Sequence, residues 1–403
     1  MTAQAIRQTL SARLEVLGDE GLRPFFLLSA LHAALWPFLW VAGDFALPFE
    51  EPLPPTLRHA NEMLFGAYGA ALIGFVTTAV PEWSNTARFR GRPLFILAGL
   101  WLVGRLAGLL GAAPLAPVGA AADLAWLLFL PAYVAWVRWR RPHARLIGML
   151  FWLTALAAAG ATAQAAIIFV APDLAAEALR AAALVFIGLL GLVLGRITVP
   201  ITNKVLDPTE ETSPYRPHPG RLNLAPGMAA VALAGTLAGL SPAVTGYLMI
   251  AAGAAFLDRV GEAFVGREAV RAPLLAPALS SLLAGIGLLL IGAARLGAPY
   301  PETAALHMVL MGGLGLGVLT VFAVAGLMHT GRSLAFPRTV PVALTLLVAG
   351  TALRVLPDLG VMPYPPGPPH LLASVVWAAA FLLWLWSYWP ILSRPNVSGD
   401  GCC

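Results

Sequence analysis

The sequence predicts an all-α, polytopic integral membrane protein with about twelve transmembrane helices and both termini in the cytoplasm. Three observations lead to this fold class. Hydrophobic residues make up 59% of the 403 residues and charged residues only 11%, whereas a soluble domain carries roughly 25% charge. Apolar runs of about 20 residues, the length that crosses a bilayer, recur along the chain. Basic residues fall mainly in alternate loops between these runs.

Short breaks that contain Arg, Pro or Gly separate the apolar runs. Taken in order, the runs give twelve predicted spans: 22–43, 58–81, 93–113, 118–137, 146–171, 178–200, 224–240, 242–258, 272–293, 302–327, 338–356 and 369–391. The dipeptide Ser241-Pro242 fits a tight turn between the seventh and eighth spans. We expect one transmembrane domain over 1–403, with an amphipathic interfacial segment at 1–20 and a flexible tail at 396–403.

The distribution of basic residues orients the chain. Nineteen of the 25 Lys and Arg residues lie in loops on one side and four on the other, with Arg105 and Arg196 inside the membrane. The positive-inside rule places the basic side in the cytoplasm. Because the basic residues are dispersed in loops, the net charge of +5 reflects topology, and the expected partner is the lipid bilayer and not nucleic acid.

The second, sixth and tenth spans begin near residues 58, 178 and 302, at roughly equal intervals. This spacing fits three diverged four-helix units, and it equally fits the regularity that any twelve-span chain shows.

Ionisable side chains inside the spans are expensive in hydrocarbon and are therefore the candidate functional residues. At the start of the second span, His59 and Glu62 are three residues apart, which places them on one face of a helix. The pair fits a metal ligand with its orienting carboxylate, and it also fits a simple ion pair at a helix start. The spacing leaves both interpretations open.

Three further histidines lie in or at the ends of spans. His307 and His329 occupy opposite ends of the tenth span, about 33 Å apart along an α-helix, so they cannot bind one metal centre together. His32 lies about 14 Å beyond Arg23 along the first span, and it fits either a hydrogen-bonded core histidine or a functional one.

Arg105, Arg196 and Arg354 lie within or at the ends of spans. Arginine at such depth needs a carboxylate, carbonyl dipoles or a bound anionic group. Snorkelling to the membrane surface accounts for Arg196 and Arg354, but it works less well for Arg105, in the middle of the third span.

Several segments together resemble the NnrS family of bacterial membrane proteins. No single segment is specific, but their order and placement are, and they cover essentially the whole chain. They are Arg23–Leu28, His59–Gly66, Gly74–Pro81, Gly195-Arg196-Ile197 with Pro200, His307, His329-Thr330-Gly331-Arg332, Leu353–Leu356 and Pro390–Pro395.

The resemblance implies a multi-pass protein of the bacterial inner membrane that contains haem and copper and protects cells against nitric oxide and nitrosative stress. Four positions depart from the family pattern. Asn61 stands where the family usually has the second histidine of a His-x-His-Glu motif, which would remove a ligand or open an iron to a gas. Glu82, Val324 and Met328 replace an asparagine, an arginine and a glycine.

On this resemblance, the expected cofactors are one or two haem b groups, with copper as a further metal, and buried histidines would supply axial ligands. His59 and His307 are the preferred outer pair. His329 is the preferred inner ligand, and His32 is its candidate partner.

Two further groups of site residues are expected. The candidate catalytic positions are Glu62, as an orienting or proton-handling group, and Asn61. The arginines that could neutralise haem propionates are Arg105, Arg196, Arg332 and Arg354.

The sequence leaves three function classes open. The first is a haem protein that acts on nitric oxide or a related small nitrogen oxide, an oxidoreductase if it turns this substrate over with an electron donor. A non-catalytic haem sensor or haem-delivery protein would use the same ligands. A secondary transporter also fits twelve Gly- and Pro-interrupted spans, although the polar residues gather at the surfaces. A haem-copper oxidase-type centre is disfavoured, because His218 is the only histidine between residues 144 and 306.

Overall fold

The computed structural model of the protein describes residues 12–42 and 54–397. Within these ranges the chain forms a short helix over residues 12–17, twelve longer helical spans and no strand. The spans are α1 (Leu22–Ala42), α2 (Pro55–Ser84), α3 (Arg92–Leu110), α4 (Ala116–Arg140), α5 (Ile147–Ile168), α6 (Pro172–Leu206), α7 (Arg221–Leu237), α8 (Pro242–Asp258), α9 (Ala272–Arg295), α10 (Glu302–Met328), α11 (Thr339–Val355) and α12 (Leu371–Leu392).

These helices confirm the predicted all-α, polytopic membrane class. Ten of them are long and apolar enough to cross a membrane, and α7 and α11 have 17 residues each. Each overlaps one of the twelve predicted spans. The cytoplasmic position of the termini stays a prediction from the loop charges. Most of the predicted interfacial segment at 1–20 and of the tail at 396–403 lies outside the described residues.

The turn predicted at Ser241-Pro242 is confirmed. α7 ends at Leu237, Gly239 adopts a φ of +66°, and α8 begins at Pro242. The hydroxyl of Ser241 accepts a hydrogen bond from the backbone N–H of Val244 at 3.4 Å, which satisfies one of the N–H groups left open at a helix start. Proline suits the first helical position because it has no N–H to satisfy.

The chain divides into two compact units. The first contains Met1–Leu179, Ala325–Ser333 and Leu382–Cys403, and the second contains Arg180–Val324 and Leu334–Phe381. In the first unit, α1 packs on α2, and α4 packs on both α3 and α5. In the second unit, α8 packs on α7 and α9, and α9 also packs on α10. The single domain over 1–403 and the three four-helix units stay predictions.

Glycines allow α8 and α9 to approach each other closely in the second unit. A Cβ atom added at Gly253 would lie 2.8 Å from the carbonyl oxygen of Gly285, and one added at Gly292 would lie 2.5 Å from the carbonyl oxygen of Gly246. Both distances are too short for real Cβ contacts. The two backbones are therefore in contact, as in helix pairs that associate through small residues in membranes.

Arg23 joins the start of α1 to the end of α12 in the first unit. Its Nη1 donates to the carbonyl oxygens of Leu392 at 2.7 Å and Arg394 at 3.0 Å, and its Nη2 donates to Oδ1 of Asn396 at 2.6 Å. The last carbonyls of a helix have no partner within the helix, so a buried guanidinium at this position caps α12. This contact links two segments through which the sequence resembles the NnrS family.

Candidate functional site

A π-helical segment, Glu62–Tyr68, interrupts α2 near its start. The wider turn disturbs the regular backbone ladder, and π segments of this kind are frequent at functional sites. The carbonyl oxygen of Gly66 in this segment accepts a hydrogen bond from Nε1 of Trp101 on α3 at 3.0 Å. The first residue of the segment is the predicted catalytic Glu62.

Glu62 belongs to a buried cluster of charged residues, here called the Arg105 network, which also contains His32, Arg105 and Asp123. Nη1 of Arg105 lies 2.8 Å from Oε1 of Glu62, and Nη2 lies 2.5 Å from Oδ2 of Asp123. Oε2 of Glu62 lies 3.2 Å from Nε2 of His32. The side chains of Glu62 and Arg105 are only 1% and 4% exposed. Arg105 therefore has the carboxylate partners that its burial requires.

Neutral side chains extend the Arg105 network across α4 and α5. Nε2 of Gln164 donates to Oδ1 of Asn61 at 3.2 Å and to Oδ2 of Asp123 at 3.3 Å. Nε1 of Trp126 donates to Oδ1 of Asp123 at 3.0 Å. Asn61, the position that replaces a family histidine, is thus connected to the buried charges through one amide.

Glycines make the space that the network occupies. A Cβ atom at Gly108 would lie 2.3 Å from Oε1 of Glu62, one at Gly104 would lie 2.5 Å from Oδ1 of Asp123, and one at Gly66 would lie 2.4 Å from Nε2 of His32. Gly104 and Gly108 are four residues apart and lie on the same face of α3 as neighbours. The sequence around Arg105 therefore supplies both the positive charge and the room for its carboxylate partners.

The Arg105 network has the composition of a site that holds one proton. If both carboxylates are ionised and His32 is neutral, two negative charges face one positive charge. A net charge in a low-dielectric interior is costly, and the positive charge of Arg105 compensates only one of the two carboxylates.

A second group of charges in the first unit, here called the His329 cluster, contains Glu20, Glu82, Arg88 and His329. Nδ1 of His329 lies 3.4 Å from Oε1 of Glu20, and the same oxygen lies 3.4 Å from Nη1 of Arg88. Nε2 of His329 lies 3.6 Å from Oε2 of Glu82, which is too long for a hydrogen bond. Glu20 is buried, whereas Glu82 is exposed. Glu20 is therefore the residue that orients the imidazole.

The structure does not bring His32 and His329 together, although the sequence suggested them as partners. His32 contacts Glu62 and His329 contacts Glu82, and these two glutamates are twenty residues apart on α2, which corresponds to about 30 Å along a helix. In addition, Nε2 of His32 lies 3.2 Å from both a side-chain and the backbone oxygen of Glu62. This ring nitrogen is occupied within the Arg105 network.

The two histidines of the predicted outer pair belong to different units. His59 is in the first unit, where its ring lies 5.3 Å from that of Trp40. His307 is in the second unit, where its Nδ1 lies 2.7 Å from the carbonyl oxygen of Thr303. A π-helical segment, Met308–Gly315, begins directly after His307. The pairing of His59 with His307 stays a prediction.

The arginines predicted to face propionates have different surroundings. Arg105 is already paired with two carboxylates, and Arg354 forms an ion pair and a hydrogen bond with Asp358. Arg196 is half-buried on α6. The Nε atom of Arg332 is buried and has no hydrogen-bond partner among the described residues. Nε of Arg105 is also buried without a hydrogen-bond partner among the described residues, but its guanidinium already has two carboxylate partners. The propionate contacts stay predictions.

Asp358, which lies just after α11, contacts the side chains of Arg354, Tyr364 and His370. Oδ1 of Asp358 accepts a hydrogen bond from the hydroxyl of Tyr364 at 2.6 Å and lies 3.8 Å from Nε2 of His370. Burial would raise the pKa of Asp358, but the hydrogen bonds from Tyr364 and Arg354 and the positive charge of Arg354 outweigh it and hold the pKa below 3.8. Burial and the charge of Arg354 lower the pKa of His370, against the opposing charge of Asp358.

Several residues of these clusters were not among the predicted site residues. Asp123 lies inside a predicted span, so the rule for ionisable side chains that flagged Arg105 could have found it. Gln164 also lies inside a predicted span, but its amide is neutral and that rule does not cover it. Glu20 and Arg88 lie at the ends of spans, where charges are common, and the sequence carries no signal that joins them to His329.

No group of three or more His, Cys, Asp or Glu residues able to hold a metal ion occurs in residues 12–42 and 54–397. Axial ligation of haem needs only one or two protein side chains, so this finding does not bear on it. Copper stays an expectation from the resemblance.

The fold and its buried charges define the class: a polytopic helical membrane protein with ionisable groups inside its helices and histidines near helix ends. The sequence model of a family described as NnrS protein matches residues 17–396, nearly the whole chain. The protein belongs to the NnrS family, and this membership points to a nitric oxide-related membrane protein. Comparisons with curated proteins and with solved structures return no match.

Proposed function

We propose that this protein is a haem-bearing protein of the bacterial inner membrane that acts on nitric oxide or protects against nitrosative stress. The observation that carries the proposal is shared by His307 and His329. In both imidazoles Nδ1 faces an oxygen acceptor, Thr303 O at 2.7 Å and Glu20 Oε1 at 3.4 Å. An acceptor at Nδ1 selects the tautomer that is protonated there and leaves the lone pair on Nε2, which is the arrangement of a metal-ligating histidine.

The His329 cluster fits one end of a haem. Glu20 orients the imidazole at Nδ1, and Nε2 lies beside the exposed side chain of Glu82. Three residues further along, the buried Nε of Arg332 has no hydrogen-bond partner in the described part of the chain. A propionate would satisfy this donor, because guanidinium and carboxylate form strong charge-assisted hydrogen bonds.

His307 fits a ligand position in the second unit. Its backbone-bonded Nδ1 fixes the ring, and a π-helical segment, which is frequent at functional sites, begins directly after it. Family resemblance makes His59 the other candidate ligand at the start of a span. When bound, haem iron would supply a coordination position for nitric oxide, and the axial histidine would tune it.

The Arg105 network would hold the proton that chemistry on a nitrogen oxide consumes. Glu62 would be the proton-handling group, with His32 and Arg105 beside its carboxylate. Gln164 connects this store to Asn61 at the start of the π-helical segment. In this assignment His32 orients Glu62, and His307 and His329 hold haem.

The test is the absorption spectrum and haem content of the purified protein after expression with ample haem. We expect a Soret band in the wild type, and a reduced or shifted band in His307→Ala and in His329→Ala. His143→Ala is the matched control, because His143 is exposed in a loop. A wild type without a Soret band, or unchanged spectra in both variants, would refute the proposal. Turnover of nitric oxide with a reductant then separates an oxidoreductase from a sensor or haem-delivery protein.

The buried Arg105 network favours a second candidate, a proton-coupled secondary transporter. Ionisable residues that face the interior of a helical membrane protein mark proton relays in such proteins. Proteoliposomes that contain haem-free protein would show solute-dependent acidification in this case, and Glu62→Gln would abolish it. Absence of any such flux in the wild type excludes this candidate.

A further inference from the structure

A cleft of about 530 Å³ lies in the first unit, between the segment that follows α2 and the second half of α4. Its walls include Phe89, Phe129, Tyr133 and Trp136, and Arg88 supplies a positive charge. The volume is within the range of about 300–1,000 Å³ that is typical of small-molecule sites. Arg88, a member of the His329 cluster, lines this cleft, whereas His329 and the members of the Arg105 network do not.

The aromatic walls present flat surfaces along one side of α4. Phe129 and Tyr133 are stacked with 5.8 Å between ring centroids and an angle of 7°, and Phe89 lies 5.3 Å from Tyr133. Trp136 continues the row, with its ring 6.5 Å from that of Tyr133. Residues at this spacing share one helix face. Phe89 is inclined by 62° to Tyr133 and by 54° to Phe129, so the cleft has both ring faces and ring edges. Such aromatic walls favour a planar aromatic or quinonoid ring over a flexible acyl chain, because planar rings pack in offset-stacked and edge-to-face arrangements.

The C-terminal end of α4 has the features of a membrane interface. Trp136 is half-exposed and Trp139 is 77% exposed, and the guanidinium of Arg140 lies 4.8 Å from the ring of Trp136. Tryptophan and arginine anchor helices at the level of the lipid headgroups. The cleft is therefore accessible to a molecule that is dissolved in the bilayer and carries a polar ring near the surface.

The charges around Arg88 distinguish between a neutral carbonyl compound and an anionic lipid as the ligand of the cleft. Arg88 already faces two carboxylates, because its Nη1 lies 3.4 Å from Glu20 and 3.7 Å from Asp19. These carboxylates offset its positive charge and would repel a phosphate headgroup. A guanidinium has five N–H donors, so Arg88 can still donate to a neutral carbonyl oxygen. The cleft is suited to a neutral carbonyl compound and not to an anionic lipid.

We propose that this cleft binds the ring of a membrane quinone, with a ring carbonyl accepting a hydrogen bond from Arg88 and the ring face on Phe129 and Tyr133. Glu20 contacts both Arg88 and His329. The carboxylate of Glu20 therefore connects the arginine that would bind the ring to the His329 imidazole. The site is one at which a quinol-type electron donor would reach the protein. The binding claim does not rest on the proposed haem function, because its test does not use haem.

The test uses the full-length protein in nanodiscs of quinone-free phosphatidylcholine and a photoreactive azido-benzoquinone as probe, with decylubiquinone as competitor. We expect saturable labelling of peptides that contain residues 86–89 or 129–136. Phe129→Leu and Arg88→Leu should each weaken binding about tenfold, which corresponds to about 1.4 kcal/mol. Leu128→Ala is the matched control, because Leu128 is the exposed neighbour of Phe129 on α4.

Phe129→Ala is a second, more severe variant of the same wall, and circular dichroism of each variant separates loss of binding from loss of folding. Labelling that does not saturate, or that maps elsewhere, would overturn the proposal. Equal affinity in Phe129→Leu and Leu128→Ala would do so as well. Competition by a phosphatidylglycerol analogue as effective as that by decylubiquinone would show a lipid site and also overturn it.

Discussion

Nη2 of Arg105 lies 2.5 Å from Oδ2 of Asp123, so a cation on α3 is bound to a carboxylate on α4 inside the first unit. The other terminal nitrogen of the same guanidinium lies 2.8 Å from Oε1 of Glu62 on α2. One buried side chain thus joins three helices through charge. Removal of one member of such a group is costly because the remaining charges stay buried without compensation.

Arg105→Leu should destabilise the protein strongly. The substitution leaves Glu62 and Asp123 facing each other without a cation, and breaking a buried ion pair costs about 3–5 kcal/mol. Denaturant titration in detergent micelles measures the free energy of unfolding. Arg92→Leu is the control, because Arg92 is exposed at the start of the same helix. Equal destabilisation by the two substitutions would contradict the assigned role of Arg105.

Gly108→Ala should disturb the Arg105 network because the added methyl group would occupy the space next to the Glu62 carboxylate. Its Cβ would lie 2.3 Å from Oε1 of Glu62, so the carboxylate or the helix must move, and overpacking of this kind costs about 1–3 kcal/mol. Gly99→Ala on the same helix places its Cβ in open space, and alanine is a better helix former than glycine by about 1 kcal/mol. We expect opposite shifts of the thermal midpoint. A shift of the same sign in both variants would argue against close packing at Gly108.

The sequence was sufficient for the helices because hydrocarbon imposes a length and a composition on each span. The twelve apolar runs correspond to twelve helices, and the turn at Ser241 follows from local chemistry, a capping hydroxyl before a proline. The division into two compact units could not be predicted, since it depends on which helices pack together. Apolar surfaces that all face lipid or other helices carry little information about their partners.

For the site, electrostatics predicted that Arg105 needs a compensating partner but did not identify it. The partners are Glu62 and Asp123, one before and one after it in the chain, and only the packing of α2, α3 and α4 brings them together. Helix geometry also predicted a shared face for His59 and Glu62. In the structure, Glu62 contacts His32 and Arg105. A π-helical segment begins at Glu62, and the sequence did not indicate this departure from regular helix geometry.

Asp358→Asn should reduce stability at neutral pH and have less effect in acid. Because the pKa of Asp358 is held below 3.8 in the folded protein, its carboxylate contributes stability above the ordinary aspartate pKa. This contribution is lost as the pH falls through the lowered value. The difference in thermal midpoint between wild type and variant should therefore be constant above about pH 5 and shrink below pH 3.8. Glu177→Gln, at an exposed site, controls for the loss of a surface charge, and a difference that persists unchanged in acid would contradict the prediction.

Glu20→Gln should weaken haem binding without removing the ligand. If His329 is an axial ligand, the buried carboxylate of Glu20 at its Nδ1 orients the ring and raises its basicity, and loss of such a partner typically lowers affinity about 10–100-fold. Glutamine retains an acceptor oxygen but not the charge, so the haem that still binds should also have a higher midpoint potential. Glu15→Gln is the matched control, because Glu15 is exposed and belongs to neither cluster of charges. Haem titration of the apoprotein and a redox titration of the Soret band measure both effects. If Glu20→Gln and Glu15→Gln change affinity and potential equally, Glu20 is a structural partner of Arg88 and does not position the His329 imidazole.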